Sequence, residues 1–198
     1  MMRKIVREPN GPGRFDPEQE LVVVGAIGKA GVAAALLCKR DELKRRFRAD
    51  FLETVREKTE ETLGLTPNLL MEYKATEWEI VSEGGVFAAL WRLSGAYMRG
   101  LSVSLTAIPV HQELLEVCEL FDLNPYRLAS GECLLLVADN GGALAAALKE
   151  RGLPAAVIGV AEKGIARKIW NSGRLGYLER PQPDEIYKIT DSKEDSYA

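Results

Sequence analysis

A chain of 198 residues, 46% of them hydrophobic, can bury roughly 70% of its unfolded surface, so one domain with its own core is expected. The 26 basic and 29 acidic residues are interspersed, which leaves a net charge of −3 and no basic stripe for nucleic acid. The apolar runs at 21–24 and 134–138 are far shorter than the roughly 20 residues of a membrane helix, and no signal-type segment precedes them, so we expect a cytoplasmic protein without membrane contact.

The first third of the chain predicts one strand, a glycine turn and two helices. Leu21–Val24 is typical of a short buried strand that ends at Gly25, and an Ala-rich helix follows over about Val32–Lys39. The segment 41–63 is highly charged, yet apolar residues recur at every fourth position. This spacing predicts one long helix with a solvated charged face, which ends at Gly64. Its apolar stripe is formed by Leu43, Phe47, Phe51 and Val55.

Helices and strands alternate more regularly after residue 80. Ser82 is expected to cap a helix that begins near Gly84. The later elements are predicted from alternation, helical spacing and turn residues. They are a strand over 101–105, a helix over 110–121, a strand over 133–138, a helix over 143–151, a strand over 155–160, and a hairpin whose turn 171–173 joins 165–170 to 175–178. This order predicts an α+β fold, an α/β sandwich with a mixed β-sheet covered by helices.

The start of the helix near Gly84 is a candidate anion site. Its residues are Ser82, Glu83, Gly84 and Gly85. The N–H groups of the two glycines begin a helix without side chains to obstruct a ligand, and helix starts favour negative charge. Glu79 and Glu83 oppose phosphate at this position, so a purely structural helix start is the alternative.

A second candidate is the turn that contains Gly25, Gly28 and Gly31. The spacing of these glycines matches neither the dinucleotide-binding pattern nor the P-loop pattern. A glycine turn between a strand and a helix commonly serves close packing alone. Packing and ligand approach are therefore both open here.

Cysteine and histidine content predicts no catalytic or metal centre. Cys38, Cys118 and Cys133 each lie in an apolar pattern and are expected in the core of a protein from a reducing compartment. His111 is the only histidine, and it lies in the first turn of a predicted helix, where an exposed polar residue is ordinary. With one histidine and no CxxC pair, we expect no transition-metal site and assign no catalytic residue.

The chain also resembles a known family over about residues 20–189. The segments 83–86 and 88–91 are similar to the helix opening in the C-terminal domain of PurM-like (AIR synthase-related) proteins. Ile108–Val110 and 117–126 are similar to the segments that follow it. This family includes AIR synthase, thiamine-monophosphate kinase and a hydrogenase maturation dehydratase.

The resemblance implies three parts: an N-terminal extension over 1–19, a PurM C-terminal-like domain over 20–189, and a polar tail over 190–198. Family members that use ATP carry a separate N-terminal domain whose acidic residues hold magnesium and nucleotide. Only about twenty residues stand at that place in this chain. Many members also have a His-Asp pair where Glu79 and Ile80 stand here.

Two functions agree with these features. The favoured one is a stand-alone domain, non-catalytic by itself, that binds a small anionic ligand or a protein partner. The alternative is the C-terminal half of a split ATP-dependent enzyme, completed by a separate PurM-like N-terminal domain. ATP and magnesium are expected only with such a partner, and otherwise no cofactor. A domain without its usual neighbour exposes apolar surface, which predicts a homodimer.

Overall fold

The computed structural model describes residues 8–190, which form a seven-stranded β-sheet and seven α-helices. The strands are β1 Glu20–Val24, β2 Ala75–Ile80, β3 Gly100–Ser104, β4 Leu134–Ala138, β5 Ala155–Glu162, β6 Arg167–Asn171 and β7 Arg174–Tyr177. The helices are α1 Lys29–Cys38, α2 Arg40–Arg46, α3 Ala49–Glu60, α4 Pro67–Glu72, α5 Gly85–Tyr97, α6 Gln112–Leu120 and α7 Gly141–Glu150. Residues 1–7 of the predicted extension and 191–198 of the predicted tail lie outside the described residues. No helix within 8–190 is long and apolar enough to cross a membrane.

The sheet is mixed, as the sequence predicts. Its strand order is β2-β4-β1-β5-β3-β6-β7. All neighbouring strands are antiparallel except β3 and β6, which are parallel. The predicted closing hairpin is confirmed as β6 and β7. The α+β class is therefore confirmed, and β1 lies inside the sheet with a partner on each side.

The side chains of β1 divide between the two faces of the sheet. Leu21 and Val23 pack in the core cluster that contains the buried face of α5. Val22 and Val24 pack in a second cluster with residues of α4 and α7. Because successive side chains of a strand point to opposite faces, a strand covered on both sides has a continuous apolar sequence.

The single long helix predicted over 41–63 is wrong, because the chain breaks it into α2 and α3. Phe47 and Arg48, between them, have extended backbone, with ψ of 151° and 158°. The four basic residues within 44–48 would repel one another in a continuous helix. The break also stacks the rings of Phe47 and Phe51, whose centroids are 4.7 Å apart. The predicted apolar stripe still packs in one cluster with α1 and α6.

Ser82 does not cap α5, so this prediction is also wrong. The N-cap is Gly84, which has a left-handed backbone (φ 79°) and makes no side-chain cap. The Ser82 hydroxyl instead accepts a hydrogen bond from Nη2 of Arg92 at 3.2 Å. Two consecutive left-handed residues, Gly84 and Gly85, turn the chain before the helix and displace Ser82 from the capping position.

The sequence predicts no element over 67–80, where the structure has α4 and β2. The strand is hidden because β2 carries two carboxylates, Glu77 and Glu79, that are 0% and 7% exposed. A buried strand position usually holds an apolar residue. The segment before β1 supplies hydrogen bonds to Glu77, since the amides of Asn10 and Gly11 donate to its Oε1 at 3.1 and 3.0 Å. Residues of the predicted extension thus bind the edge of the sheet.

The expectation of three core cysteines holds for Cys118 and Cys133, which are buried, and is wrong for Cys38. Cys38 is the last residue of α1 and is exposed. Its neighbour Leu37 is 70% exposed as well. The last turn of α1 therefore extends beyond the elements that cover its first turns, and an apolar pattern does not reveal where that cover ends.

Candidate functional site

The backbone conformation and the close packing at the start of α5 require glycine at both of its first positions. Gly84 and Gly85 have φ of 79° and 66°, in the left-handed region that favours glycine. A Cβ on Gly84 would lie 2.8 Å from the Cβ of Ala88, and one on Gly85 would lie 2.5 Å from the carbonyl oxygen of Tyr126. Packing alone therefore explains the glycine pair.

The amides of both glycines bind acceptors within the chain. The amide of Gly84 donates to Oδ2 of Asp184 at 2.9 Å, and that of Gly85 donates to the carbonyl of Ser82 at 2.9 Å. Asp184 is 2% exposed and also accepts from the amides of Ala129 at 2.9 Å and Ile186 at 3.1 Å. A buried carboxylate of the protein thus stands at the helix start where an anion is predicted.

Sequence reasoning missed the role of Asp184. The residue appears in the sequence only as part of the domain's ending, a hundred positions after Gly84. One local signal is present, because Asp184 precedes a short 3-10 turn at Glu185–Lys188 and caps it through Oδ1. An aspartate at a cap is ordinary, so this signal does not reveal the contact with α5.

The exposed side of the helix start carries charges of both signs. Arg92 donates from Nε to Oε1 of Glu79 at 2.8 Å and from Nη2 to the carbonyl of Ile80 at 3.1 Å. Oε1 of Glu83 accepts from the hydroxyl of Tyr187 at 3.1 Å. Burial lowers the pKa of Arg92, and Glu83 opposes that shift. Two carboxylates thus accompany one guanidinium, which makes this surface polar without favouring a free anion.

The second glycine turn packs against the segment that follows residue 127. The amide of Gly28 donates to Oγ of Ser130 at 2.7 Å, and that of Gly31 donates to the carbonyl of Ala129 at 3.0 Å. A Cβ on Gly31 would lie 2.6 Å from Cδ2 of Leu128. Gly25 is equally confined, since its Cβ would lie 2.6 Å from the carbonyl of residue 132.

The structure therefore brings the two predicted sites together at one segment, 128–130. The glycine turn binds this segment from one side through Ser130 and Ala129. The α5 start reaches it through Asp184, which binds Ala129, and through Val81, whose carbonyl accepts from the amide of Ser130 at 3.0 Å. The spacing of the glycines reflects these close approaches.

Lys29, which the sequence does not single out, is a buried cation beside the glycine turn. Its residue is 2% exposed, and Nζ donates to the carbonyl of Glu61. The carboxylate of Glu61 pairs with Lys58 at 2.7 Å and with Nε2 of His111 at 3.3 Å. Burial lowers the pKa of Lys29, and Glu61 opposes the shift. A small cavity of about 160 Å³ lies beside Lys29 and Gly25.

The described residues hold no cluster of His, Cys, Asp and Glu that could bind a metal ion. The two buried thiols are poor nucleophiles, because burial raises the pKa of Cys118 and of Cys133 to about 12. The start of α5 is therefore a structural junction that many hydrogen bonds hold in place. Its exposed side, with Ser82, Glu83 and Arg92, is polar, and we call it the α5 rim.

Comparison with known proteins identifies the family. The family model for AIR synthase related protein, C-terminal domain, matches residues 16–169. The chain belongs to this family. The search of curated proteins found no match.

Solved structures of related proteins share the fold. A structure of hydrogenase maturation protein HypE in complex with ATP is 21% identical, with a TM-score of 0.64, and the match covers 89% of this chain and 54% of that one. Escherichia coli HypE is 20% identical, with a TM-score of 0.68 and coverage of 91% and 55%. Thiamine-monophosphate kinase from Stenotrophomonas maltophilia K279a is 20% identical, with a TM-score of 0.61 and coverage of 83% and 53%. The chain thus spans about half the length of these proteins.

Proposed function

We propose that this chain is a binding domain without catalytic activity of its own, which presents the exposed rim of the α5 start to a protein partner. One observation carries the proposal: the carboxylate of Asp184 already bonds the amide of Gly84 from inside the protein. A second anion at this amide would meet the buried negative charge of Asp184. A small anionic ligand at Ser82–Gly85 is therefore the less favoured form of the binding function.

The side chains of the rim support a protein partner. Ser82 and Glu83 are exposed, and Arg92 is half-buried with both Glu79 and the Ser82 hydroxyl within hydrogen-bonding distance. Ile80, next to them, is 54% exposed. An exposed apolar residue surrounded by charges of both signs is the composition of many protein interfaces, whereas phosphate sites concentrate positive charge.

A thermal-shift titration of the purified chain tests this proposal. The ligands are ATP, ADP, AMP, phosphate and aminoimidazole ribonucleotide, each with and without magnesium. A ligand that binds the folded chain adds about 2.7 kcal/mol of stability at a hundred times its dissociation constant. We expect no shift with any of them. A shift with phosphate or a nucleotide that Arg92→Ala abolishes would instead establish the anion site.

A second candidate function, the C-terminal half of a split ATP-dependent enzyme, has separate support. The three structures named above match 83–91% of this chain, while this chain spans only 53–55% of them, and one of them is HypE in complex with ATP. In this alternative a separately encoded PurM-like N-terminal domain brings the groups for ATP and magnesium. Co-purification with such a domain, together with a magnesium-dependent ATP shift that only the complex shows, would favour this alternative.

Self-association and location belong to the same proposal. We propose a homodimer in the cytoplasm. One matched structure is a HypE–HypF complex, 18% identical with a TM-score of 0.66, which is a precedent for a protein partner of another kind. The three cysteines form no disulfide, which agrees with a reducing compartment.

A further inference from the structure

A groove lies between α1, α2 and α3. Its volume is about 330 Å³, within the range of small-molecule sites. The break at Phe47 and Arg48 is what creates it, because the chain reverses there and lays α3 beside α2 and α1. In the single long helix that the sequence predicts, this groove would not exist.

The floor of the groove is apolar. It is formed by Leu36 of α1, Leu43 of α2, Phe47 at the break and Leu52 of α3. Leu43 is buried, whereas the other three are only half-buried and stay accessible from the groove. These side chains belong to the core cluster of the helical layer, so the floor is held in place by the packing of the domain.

The rim of the groove is positively charged. Arg40 and Lys44 lie one turn apart on α2 and are exposed, and their side chains make no hydrogen bond or ion pair with any residue in 8–190. Arg56 of α3 completes the rim and pairs with Glu53, the carboxylate at the groove, at 3.4 Å. Like charges at i and i+4 destabilise a helix, so an anion between Arg40 and Lys44 would reduce the repulsion between their side chains.

The charge around the groove contrasts with that of the protein. The segment 39–48 contains six basic and two acidic residues, whereas α3 on the other wall carries two basic and four acidic ones. The charged side chains that line the groove itself are three basic and one acidic, although the whole chain has a net charge of −3. Anions are therefore attracted to this part of an otherwise acidic surface. The segment is only ten residues long and is backed by an apolar floor, which distinguishes it from a stripe that follows a nucleic acid backbone.

We propose that this groove binds a small amphipathic anion. Its alkyl or aryl group would lie on the apolar floor, and its carboxylate or sulfonate would lie between Arg40 and Lys44. Burial of the apolar group supplies most of the affinity, because each methylene group that is removed from water makes binding more favourable. The two cations fix the orientation and select against neutral or cationic molecules of the same shape. This site is independent of the α5 rim and of the function proposed for it.

The test uses 8-anilinonaphthalene-1-sulfonate, which has an aromatic body and one sulfonate and fluoresces when bound in an apolar site. We expect saturable binding with one molecule per chain. Octanoate should displace the probe at a concentration at least about twentyfold below that needed for octan-1-ol or octylamine, which have the same alkyl chain, because the two cations contribute about fivefold each. Arg40→Gln and Lys44→Gln should each weaken binding about fivefold, the effect of one charge at about 4 Å in a water-like dielectric.

Two further variants keep the test decisive. Arg45→Gln removes a charge from the same helix but outside the groove, and it should change the affinity by less than about twofold, because exposed charges at a distance are screened. Ala49→Trp fills the groove from an exposed position of α3 and should abolish binding with the rim intact. The proposal is overturned if the probe binds the Arg40→Gln and Lys44→Gln variants as tightly as the unaltered chain, or if octanol displaces it as well as octanoate does. Binding that Ala49→Trp leaves unchanged would overturn it too.

Discussion

The carboxylate of Asp184 lies 2.9 Å from the amide nitrogen of Gly84, a hundred residues earlier in the chain. This hydrogen bond joins the start of α5 to the last turn of the domain, and it places a negative charge where the helix dipole favours one. The amide of Gly84 therefore binds a carboxylate of the same chain, while the amide of Gly85 binds the carbonyl of Ser82.

Replacement of Asp184 by alanine should destabilise the fold strongly. The substitution leaves the buried amides of Gly84, Ala129 and Ile186 without this acceptor, and we expect the free energy of unfolding to fall by about 3 kcal/mol. Asp184→Asn keeps one oxygen acceptor and should lose about half as much. Urea unfolding followed by tryptophan fluorescence measures both losses. A loss below about 1 kcal/mol for alanine would contradict the role given to this carboxylate.

External anions should rescue the Asp184→Ala variant. The variant opens a small polar space, and acetate or phosphate can occupy it as the carboxylate does in the unaltered protein. We expect these anions to raise the melting temperature of the variant more than that of the unaltered chain. Asp139→Ala, which removes an exposed carboxylate bound to Arg14, is the control and should show no such rescue. An equal rise in all three proteins would mean that the anions act elsewhere.

The Glu79–Arg92 pair should contribute measurably to stability, because the Glu79 side chain is only 9% exposed. Arg92→Met removes the guanidinium from a buried carboxylate, and we expect a loss of about 2 kcal/mol. Adding Glu79→Gln should recover part of it, so a double-mutant cycle should give a coupling of at least about 1 kcal/mol. Arg48→Met breaks the exposed pair with Asp50 and should cost less than about 0.5 kcal/mol. Equal losses for the two arginines would contradict this prediction.

The sequence predicts those parts of the fold that depend on local patterns. The continuous apolar run of β1 and the alternation along β3 each follow from which faces are covered, and the hairpin of β6 and β7 follows from its turn residues. These features need no knowledge of distant contacts. The break between α2 and α3 cannot be predicted from such local patterns. Phe47 and Phe51 have the sequence spacing of a single helix, although the chain bends between them.

The candidate site is predicted only in part, for the same reason. The glycines at 84 and 85 are visible in the sequence, but their partner Asp184 is brought close only by the tertiary fold. Glu77 is hidden in the same way, since Asn10 and Gly11 satisfy it from more than sixty positions away. In a sequence, a buried carboxylate cannot be distinguished from a surface one, because the hydrogen-bond partners that allow its burial are not known.

The predicted homodimer has a candidate surface on the outer part of the sheet. Val160, Trp170, Leu175 and Tyr177 are exposed, and strand pairing places them on the same face of β5, β6 and β7. β7 is also an edge strand whose four residues are all exposed, and such edges pair readily with another chain. Light scattering at tens of micromolar should therefore show a dimer.

Charges on that surface should dissociate the dimer. Leu175→Lys with Tyr177→Lys places two cations on each copy of the strand, and like charges that face each other oppose pairing. Met71→Lys, at an exposed apolar residue of α4, is the matched control and should leave the dimer intact. A monomer of the unaltered chain would contradict the dimer itself, whereas a dimer that survives both lysines would contradict only this surface.

The cysteines should differ sharply in reactivity. Cys38 is exposed and should react with a disulfide reagent in the folded protein at about pH 8. Cys118 and Cys133 are buried and should react only after unfolding in urea. Mass spectrometry of the labelled protein counts the modified thiols, with Cys38→Ser as the control that should remain unlabelled when folded. Rapid labelling of three thiols in the folded protein would show that the core opens readily.

The same two buried thiols should make the fold less stable at high pH. Burial raises the pKa of Cys118 and of Cys133 from 9.0 to about 12, so between these values the unfolded chain loses protons that the folded chain keeps. The free energy of unfolding therefore falls as the pH rises through this window, by about 1 kcal/mol per thiol at pH 10, and is unaffected by these groups below pH 8. Cys118→Ala leaves a cavity and lowers stability at every pH, but its loss between pH 8 and pH 10 should be smaller by that amount. Urea unfolding at the two pH values measures the difference, and equal slopes for the variant and the unaltered chain would show that Cys118 ionises as easily in the fold as outside it.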